Sequence, residues 1–484
     1  MSSPVQPAPP AGGAFWRQHL PMGLLAVLFL LLAAFVATQA DAHGRSWDEG
    51  LQDWYGGAVY QWYATRGADL TFMTAPEYLQ MPQHGPFFEA VVAAAQHAVP
   101  EADHWYVRSI VGGVTGALGV AAIALCGLEL AGWWCAFLAA AGLALYPRYT
   151  GAIFNNSKDV PLAVAMIVLL WLTLRLARRW GSGRTYLLDS ALVGVAAGVA
   201  VAIRVNAALW FIVLGLAAAG WWWRHGRAAL ADGGWRAALA RQATAGVLIV
   251  GCAYLAILAF WPYIALRPVD GLIDSVRSMS AYDWTGIIPF EGREVRGDQV
   301  PRRYAPVWLL IGSPPATVLF GVVGAAFIAA DLARRRLADA RVLIAAALFV
   351  VPLAVIVLMR PTLYNGPRHF LFVVPGLVLL GALGVTRLVA ALRWSRPTLV
   401  ALVALVAVLW APTVYAAARL HPFEYMYFSP LVGGYSGARD RYETDYWSLC
   451  QNPALDWLVD HHKAYPSATP PTVGGLFDPW LRTP

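Results

Sequence analysis

Five short segments of this chain carry side chains whose types and spacing could do chemistry. Arg45-Ser46-Trp47-Asp48-Glu49-Gly50 sets two adjacent carboxylates beside an arginine, and Met81-Pro82-Gln83-His84-Gly85-Pro86-Phe87 adds a histidine. Phe154-Asn155-Asn156-Ser157-Lys158-Asp159-Val160-Pro161 joins a lysine to an aspartate, a few residues beyond Arg148. Arg204 stands alone in an apolar stretch, and Arg368-His369 closes the set. Carboxylates take protons and arginines hold anions in forked geometry, so the group suggests an acid/base site beside an anion site. Each segment is weak alone. An Asp-Glu pair is equally a solvated acidic face, and His84 and His369 are equally hydrogen-bonded loop residues.

The elements that must position these residues are membrane spans. Of 484 residues, 59% are hydrophobic and only 13% charged, about half the charge of a soluble protein. The net charge of +7 comes from arginine, since Lys158 and Lys463 are the only lysines. Those arginines lie between apolar runs, which marks a topology signal and argues against nucleic acid as a partner. Cys126, Cys135, Cys252 and Cys450 fall in no CxxC or Cys/His pattern, so neither a zinc motif nor a disulfide framework is expected.

Apolar runs begin near Leu20, Tyr106, Gly132, Val160, Ala191, Val205, Ala243, Pro306, Val342, Phe370 and Thr398, about eleven spans in all. The first is longer than a signal-peptide core, so it reads as an uncleaved anchor, although Ala40-Asp41-Ala42 resembles a cleavage site. Residues 1–14 read as a disordered cytoplasmic tail, 15–420 as the transmembrane domain and 421–484 as a periplasmic tail.

Alternate loops carry the arginines. Arg175, Arg178, Arg179 and Arg184 occupy one, and Arg224, Arg227, Arg236 and Arg241 the next. Arg334, Arg335, Arg336 and Arg341 follow, then Arg387, Arg393 and Arg396. The positive-inside rule puts these loops and the N-terminus in the cytoplasm and the C-terminus in the periplasm of a bacterial inner-membrane protein. All five segments then face outward or lie near that face. The long first loop, 41–104, adds two amphipathic stretches, Leu51–Thr65 and Phe87–Val99, expected to lie on the membrane surface. Pro453–His462 reads as a third. Tyr435, Tyr442, Tyr446 and Trp447 either form an aromatic platform or pack against the outer loops, and packing is favoured.

Arg204 has a particular setting. The stretch Ala191–Trp223 has basic clusters at both ends, so it reads as a hairpin with Arg204 at its tip. A first limb of about 13 residues is roughly 20 Å of helix, too short to cross the bilayer. The arginine must then meet water or an anion below the surface, unless it snorkels.

These segments resemble the lipid-donor glycosyltransferases of the GT-C fold, the group of dolichyl-phosphate-mannose protein mannosyltransferases and lipid A aminoarabinose transferases. WDEG is similar to that family's Asp-Glu motif, and HGP to its His-Pro-Pro motif with Gly85 in place of a proline. NNSKDVPLA resembles the second acidic motif, GVAVAIRVN the glycine-rich helix ending in a basic residue, and GPRHFLFVVPGL a late bacterial motif. The likeness covers roughly residues 15–420 and rests on the order of short motifs. Gly85 weakens the link to the protein mannosyltransferases, and the tail has no counterpart in the aminoarabinose branch.

The resemblance implies an all-α polytopic membrane protein of GT-C fold with a long first periplasmic loop. It implies an inverting enzyme that moves a sugar from a polyprenyl-phosphate donor to a hydroxyl acceptor on protein, lipid or glycan. Asp48 is then the expected base, with Glu49 as the fallback and Asp159 as an orienting carboxylate. Arg204, Arg368, His369, His84, Lys158 and Arg148 are the expected substrate-binding residues. No metal and no cofactor is called for. The alternative is a transporter or flippase of lipid-linked glycans. Against it, the runs 243–260, 318–330, 343–358 and 370–385 hold no Asp, Glu, Lys or Arg for a coupling site, and no inverted repeat is found.

Overall fold

The computed structural model describes residues 19–76, 79–180, 185–280, 282, 284–334, 339–391 and 396–464. The expected cytoplasmic tail and Arg184, Arg335, Arg336 and Arg393 lie outside the described residues. The apolar runs are helices, the solution that satisfies every backbone N–H and C=O inside the segment where no water can. In chain order the helices that matter here are α1 (Leu20–Gln39), α2 (Glu49–Ala64), α3 (Phe87–Ala98), α4 (His104–Ala131) and α5 (Trp133–Ala144). Then come α6 (Asp159–Arg179), α7 (Thr185–Val201), α8 (Trp210–Ala231), α9 (Trp235–Phe260) and α10 (Asp270–Ser280). After a β-hairpin follow α11 (Tyr304–Gly312), α12 (Pro315–Ala333), α13 (Arg341–Met359), α14 (Val374–Ala391), α15 (Arg396–Leu420) and α16 (Gln451–Ala464).

Among the described residues, nine helical segments are long and apolar enough to cross a membrane, and the shorter apolar helices α5 and α7 complete the expected eleven. The chain is therefore a multi-pass membrane protein. Two runs differ in detail from expectation. The one beginning near Pro306 is split, because Ser313 is extended ahead of Pro314-Pro315 and ends α11 before α12 starts. The first limb of the Arg204 hairpin starts at Thr185, so it has 17 residues and about 26 Å of helix. That remains short of a 30 Å core.

Buried and lipid-facing helices separate clearly. The central windows of α6 and α14 are 72% and 78% buried, against 6% for α15, which lies on the rim of the bundle. Close backbone approach locks α7 to α9. A Cβ on Gly194 would stand 2.5 Å from the Ile249 carbonyl oxygen, and one on Gly198 2.3 Å from that of Ala253. The glycine-rich helix is thus a packing surface that fixes where Arg204 emerges.

One end of the bundle is stapled by ion pairs: Glu129 with Arg178 and Arg341, Asp189 with Arg175, and Asp331 with Arg387. At the other end lie the long loop and the tail. The two amphipathic stretches of the loop form α2 and α3 almost as expected, with Gly56 close against the Glu89 backbone. The connection between α10 and α11 holds an element with no expected counterpart, an antiparallel hairpin pairing Ile287–Phe290 with Arg293–Arg296. Its turn residues Glu291 and Gly292 both have positive φ, the geometry that suits a two-residue hairpin loop.

Candidate active site

The end opposite the helix staples holds a narrow polar cleft open to solvent. It is lined by Ser46, Asp48, Glu49, Gln52, Asn155, Asn156, Ser157, Lys158, Asp159, Arg204, Arg368 and Trp447. Four elements supply the charges: the exit of α1, the start of α6, the tip of the α7–α8 hairpin, and the turn entering α14.

Each charged group is aimed by its neighbours. Ser46-Trp47-Asp48-Glu49 is a helix-start signature, and here the Glu49 carboxylate reaches back to accept the Ser46 N–H at 2.7 Å. Its second oxygen accepts from Arg108 Nε at 3.2 Å, and Arg108 also holds Glu89 at 2.9 Å. Burial outweighs Arg108 and raises the Glu49 carboxyl to about 7. Asp48, one residue earlier, escapes this network. Its Oδ2 pairs with Arg368 Nη1 at 3.0 Å, its side chain is 35% exposed, and among the described residues Oδ1 has no hydrogen-bond partner.

The second acidic segment caps α6. Asn156 Oδ1 accepts the backbone N–H groups of Lys158 and Asp159, while its amide donates to Asp159 Oδ2 at 3.1 Å. Asp159 Oδ1 forms an ion pair with Arg204 Nη1 at 3.0 Å, without hydrogen-bond geometry. Arg204 sits in extended backbone between α7 and a 3-10 turn at Val205–Leu209. Lys158 has no carboxylate within 4 Å among the described residues. Burial, then Arg204, lowers its ammonium to about 8.

Gly85 explains its own departure from the expected proline. A Cβ there would stand 2.3 Å from the Ala202 carbonyl oxygen, and the same oxygen accepts the Phe87 N–H at 3.0 Å. The His84-Gly85-Pro86 turn thus clamps the hairpin two residues before Arg204. His84 itself stands beside the cleft rather than in its lining, with Tyr282 6.4 Å away. Burial, then Lys158, Arg204 and Arg368, holds its imidazole well below the usual range, so it is neutral at pH 7. His369 also lies outside the lining, edge-on to Tyr364 at 4.5 Å. Arg148 is not brought to the cleft. It is buried between Trp308 and Phe428, and its Nε donates to the Tyr427 carbonyl at 2.8 Å.

No protein-family model matches the chain, and no curated protein matches it in sequence. Solved structures do. ArnT from Cupriavidus metallidurans bound to undecaprenyl phosphate aligns with a TM-score of 0.52 and 15% identity, over 91% of this chain and 70% of that one. The Archaeoglobus fulgidus oligosaccharyltransferase in its apo form aligns with a TM-score of 0.53 and 13% identity, over 96% of this chain and 62% of that one. The same archaeal enzyme, AglB, in complex with an inhibitory peptide and a dolichol-phosphate, aligns equally well at 12% identity. The fold is GT-C.

On this GT-C scaffold the part of the site that sequence reasoning missed is the tail. Glu443 accepts the backbone N–H groups of Asn365 and Gly366 at 3.0 and 2.9 Å, and so fixes the turn that presents Arg368. Trp447 stacks over the Arg368 guanidinium, 4.7 Å from ring centre to Cζ, and its carbonyl accepts the Trp47 N–H. Tyr442 packs among Phe290, Trp308 and Phe428, and Tyr446 against Tyr425. The four tail aromatics therefore form no common platform; only Trp447 borders the cleft. The available signal was an acid-and-aromatic-rich segment after the last span. Arg108 was missed because it lies in the second turn of a span, close enough to the end that an arginine reads as an interfacial anchor.

Proposed function

We propose that the chain is an inverting glycosyltransferase that passes a sugar from a polyprenyl-phosphate donor to a hydroxyl acceptor at the periplasmic face. The observation that carries this reading is the asymmetry among the three cleft carboxylates. Glu49 is buried with both oxygens hydrogen-bonded and Asp159 is buried between Asn156 and the Arg204 guanidinium, while Asp48 keeps one oxygen free at the open mouth. The GT-C fold supplies the frame, and the solved structures that share it include complexes with undecaprenyl phosphate and dolichol-phosphate.

In this reading the donor phosphate sits against Lys158 and Arg204, and the anomeric carbon faces Asp48. The acceptor hydroxyl gives its proton to Asp48 Oδ1 as its oxygen bonds to that carbon. The bond from carbon to phosphate oxygen breaks, and the electron pair stays on the phosphate. The leaving group needs no proton, only the cations beside it. Arg368, braced by Trp447, holds Asp48 Oδ2 so that the other oxygen points to the acceptor. The sugar transferred is a hexose or a pentose. The N-terminus is cytoplasmic and the 421–484 tail periplasmic, which cysteine labelling at Ser2 and Ser448 in intact cells checks. Outside labelling at Ser2 would reverse the orientation.

The test of the chemistry is single-turnover transfer from synthetic polyprenyl-phosphate sugars to a panel of hydroxyl acceptors. Transfer with inversion at the anomeric carbon supports the reading. Lipid movement across a vesicle bilayer without transfer would favour the transporter.

A further inference from the structure

A second cluster of polar side chains lies beside the cleft, where the first and last spans leave the bundle. His43 follows α1, and His421 and Glu424 follow α15. One ligand-type atom from each lies within 4.8 Å of the other two. His43 is 1% exposed and Glu424 7%, so the cluster is not a solvated surface patch.

The hydrogen bonds around the two rings have a consistent pattern. His43 Nδ1 is 3.0 Å from the Gln39 backbone oxygen, and His421 Nε2 is 3.0 Å from the Gln39 side-chain oxygen. Both oxygens only accept, so each ring spends its N–H there. A neutral ring then turns a lone pair toward the Glu424 carboxylate, His43 Nε2 at 3.3 Å from Oε2 and His421 Nδ1 at 2.6 Å from Oε1, the second a hydrogen-bond distance that a further proton on the ring would satisfy as well as a metal ion. His43 Nε2 and Glu424 Oε2 face each other in the buried interior, and neither has a hydrogen-bond partner. Lone pairs directed at a carboxylate repel unless something positive stands between them. Histidines whose far nitrogens are fixed by oxygen acceptors are the usual surroundings of a metal ion.

We propose that His43, His421 and Glu424 bind a divalent transition-metal ion of the zinc type. Two imidazoles and a carboxylate are the ligand set of three-ligand zinc centres, with a fourth position left for water. Imidazole donors favour zinc over magnesium or calcium. The 3.3 Å edge between His43 and Glu424 is about that of a tetrahedron with bonds of roughly 2.0–2.1 Å, whereas the 2.6 Å between His421 and Glu424 is shorter and must lengthen when an ion enters. Solvent reaches the site past His421, whose side chain is 35% exposed. The ion would clamp α15, the least buried span, to the exit of α1. It would also anchor the tail that carries Glu443 and Trp447. The site is separate from the proposed sugar transfer and stands or falls without it.

The experiment uses the full chain in detergent, purified without a polyhistidine tag, stripped with chelator and titrated with ZnCl2. One zinc per chain is expected by elemental analysis, unaffected by millimolar Mg2+ and accompanied by a higher melting temperature. Co2+ in place of zinc should show the intense visible bands of a four-coordinate site. His421→Ala, at the exposed ligand, and Glu424→Gln should each weaken binding by about 10²-fold or more and abolish the thermal shift. Asp48→Asn, in the cleft, should keep full stoichiometry. The proposal is overturned if the wild-type chain binds no zinc, or if zinc stays bound in both ligand variants. It is also overturned if Asp48→Asn loses the ion while His421→Ala keeps it. Melting that ignores zinc would likewise overturn it and make the cluster a hydrogen-bonded network without an ion.

Discussion

Both ends of the bundle carry arginine–carboxylate pairs, and the pairs differ in what they surround. At the stapled end Glu129, Asp189 and Asp331 each join one helix to another, with nothing between the partners but packing. At the cleft end Asp48–Arg368 and Asp159–Arg204 join helix termini across an opening, and Lys158 stands among them without a carboxylate of its own. Burying even one partner of a charge pair is costly, as with Asp189, Asp159 and Arg368, and either arrangement must return something. At one end it is the register of the helices; at the other it is a cavity whose charges are held in place before a ligand arrives. The lesson is that an ion pair reads as structural or chemical from its surroundings, not from its residue types. Four substitutions or titrations can break that contrast.

The largest effect belongs to Asp48→Asn. The change keeps shape and removes the free basic oxygen, so single-turnover transfer should fall by about 10²–10⁴-fold with donor binding nearly intact. Glu49→Gln should cost turnover much less and melting temperature more, because Glu49 holds Ser46 and Arg108 rather than facing the opening. Wild-type turnover in Asp48→Asn together with loss in Glu49→Gln would move the base by one residue.

Next is Asp189→Asn, at the stapled end. Asp189 is buried and pairs with Arg175 at 2.9 Å. Removing its charge should destabilise the chain by about 1–3 kcal/mol, read from thermal or denaturant melting, and leave turnover per folded molecule unchanged. Lost turnover at full stability would erase the distinction between the two ends.

Arg204→Lys probes whether the hairpin tip binds an anion or merely caps Asp159. It keeps the charge and loses the fork, so affinity for a polyprenyl-phosphate lipid should drop by about 10-fold while the fold survives. Unchanged affinity in Arg204→Ala would make the residue a structural partner of Asp159 and nothing more.

The contrast also explains what could be read from sequence. Spans follow from run length, and the alternation of arginine loops put Asp48, Asp159, Arg204 and Arg368 at one end, where the structure assembles them. The hairpin tip was legible because a charge in a short limb has few physical solutions. The tail was not legible. Glu443 and Trp447 act through contacts with residues 365–368 and with Trp47, and such long-range pairings leave no periodicity in a segment without regular structure. Arg148 illustrates the opposite case. An arginine near an acidic motif looks like part of the site, yet stacking between Trp308 and Phe428 turns it into the core. His43 and His421 sit near opposite ends of the chain, and no spacing rule joins them.

The smallest effect expected is a titration, and it sharpens the comparison most directly because it isolates Lys158, which has no carboxylate within 4 Å among the described residues. Burial, then Arg204, brings Lys158 down to about 8 from an ordinary lysine value near 10.4. A lowered ammonium is charged below that value and neutral above it. The cleft therefore loses one positive charge between about pH 7 and pH 9, where an ordinary lysine would lose almost none. A polyprenyl-phosphate sugar is a phosphodiester with a single charge that does not titrate in this window, so any change in its affinity reports on the protein. Affinity should fall several-fold as pH rises from 7 to 9. Lys158→Arg should remove the share of that slope carried by the ammonium, because guanidinium stays protonated throughout, and leave the share carried by Glu49, whose carboxyl is raised to about 7 in the same cleft. The bound anion will itself pull the ammonium upward, so the midpoint in the complex should lie above that of the free chain. The measurement is donor-lipid binding across the window for both proteins. An equal slope in Lys158→Arg would assign the titration to another group and leave Lys158 outside the phosphate site.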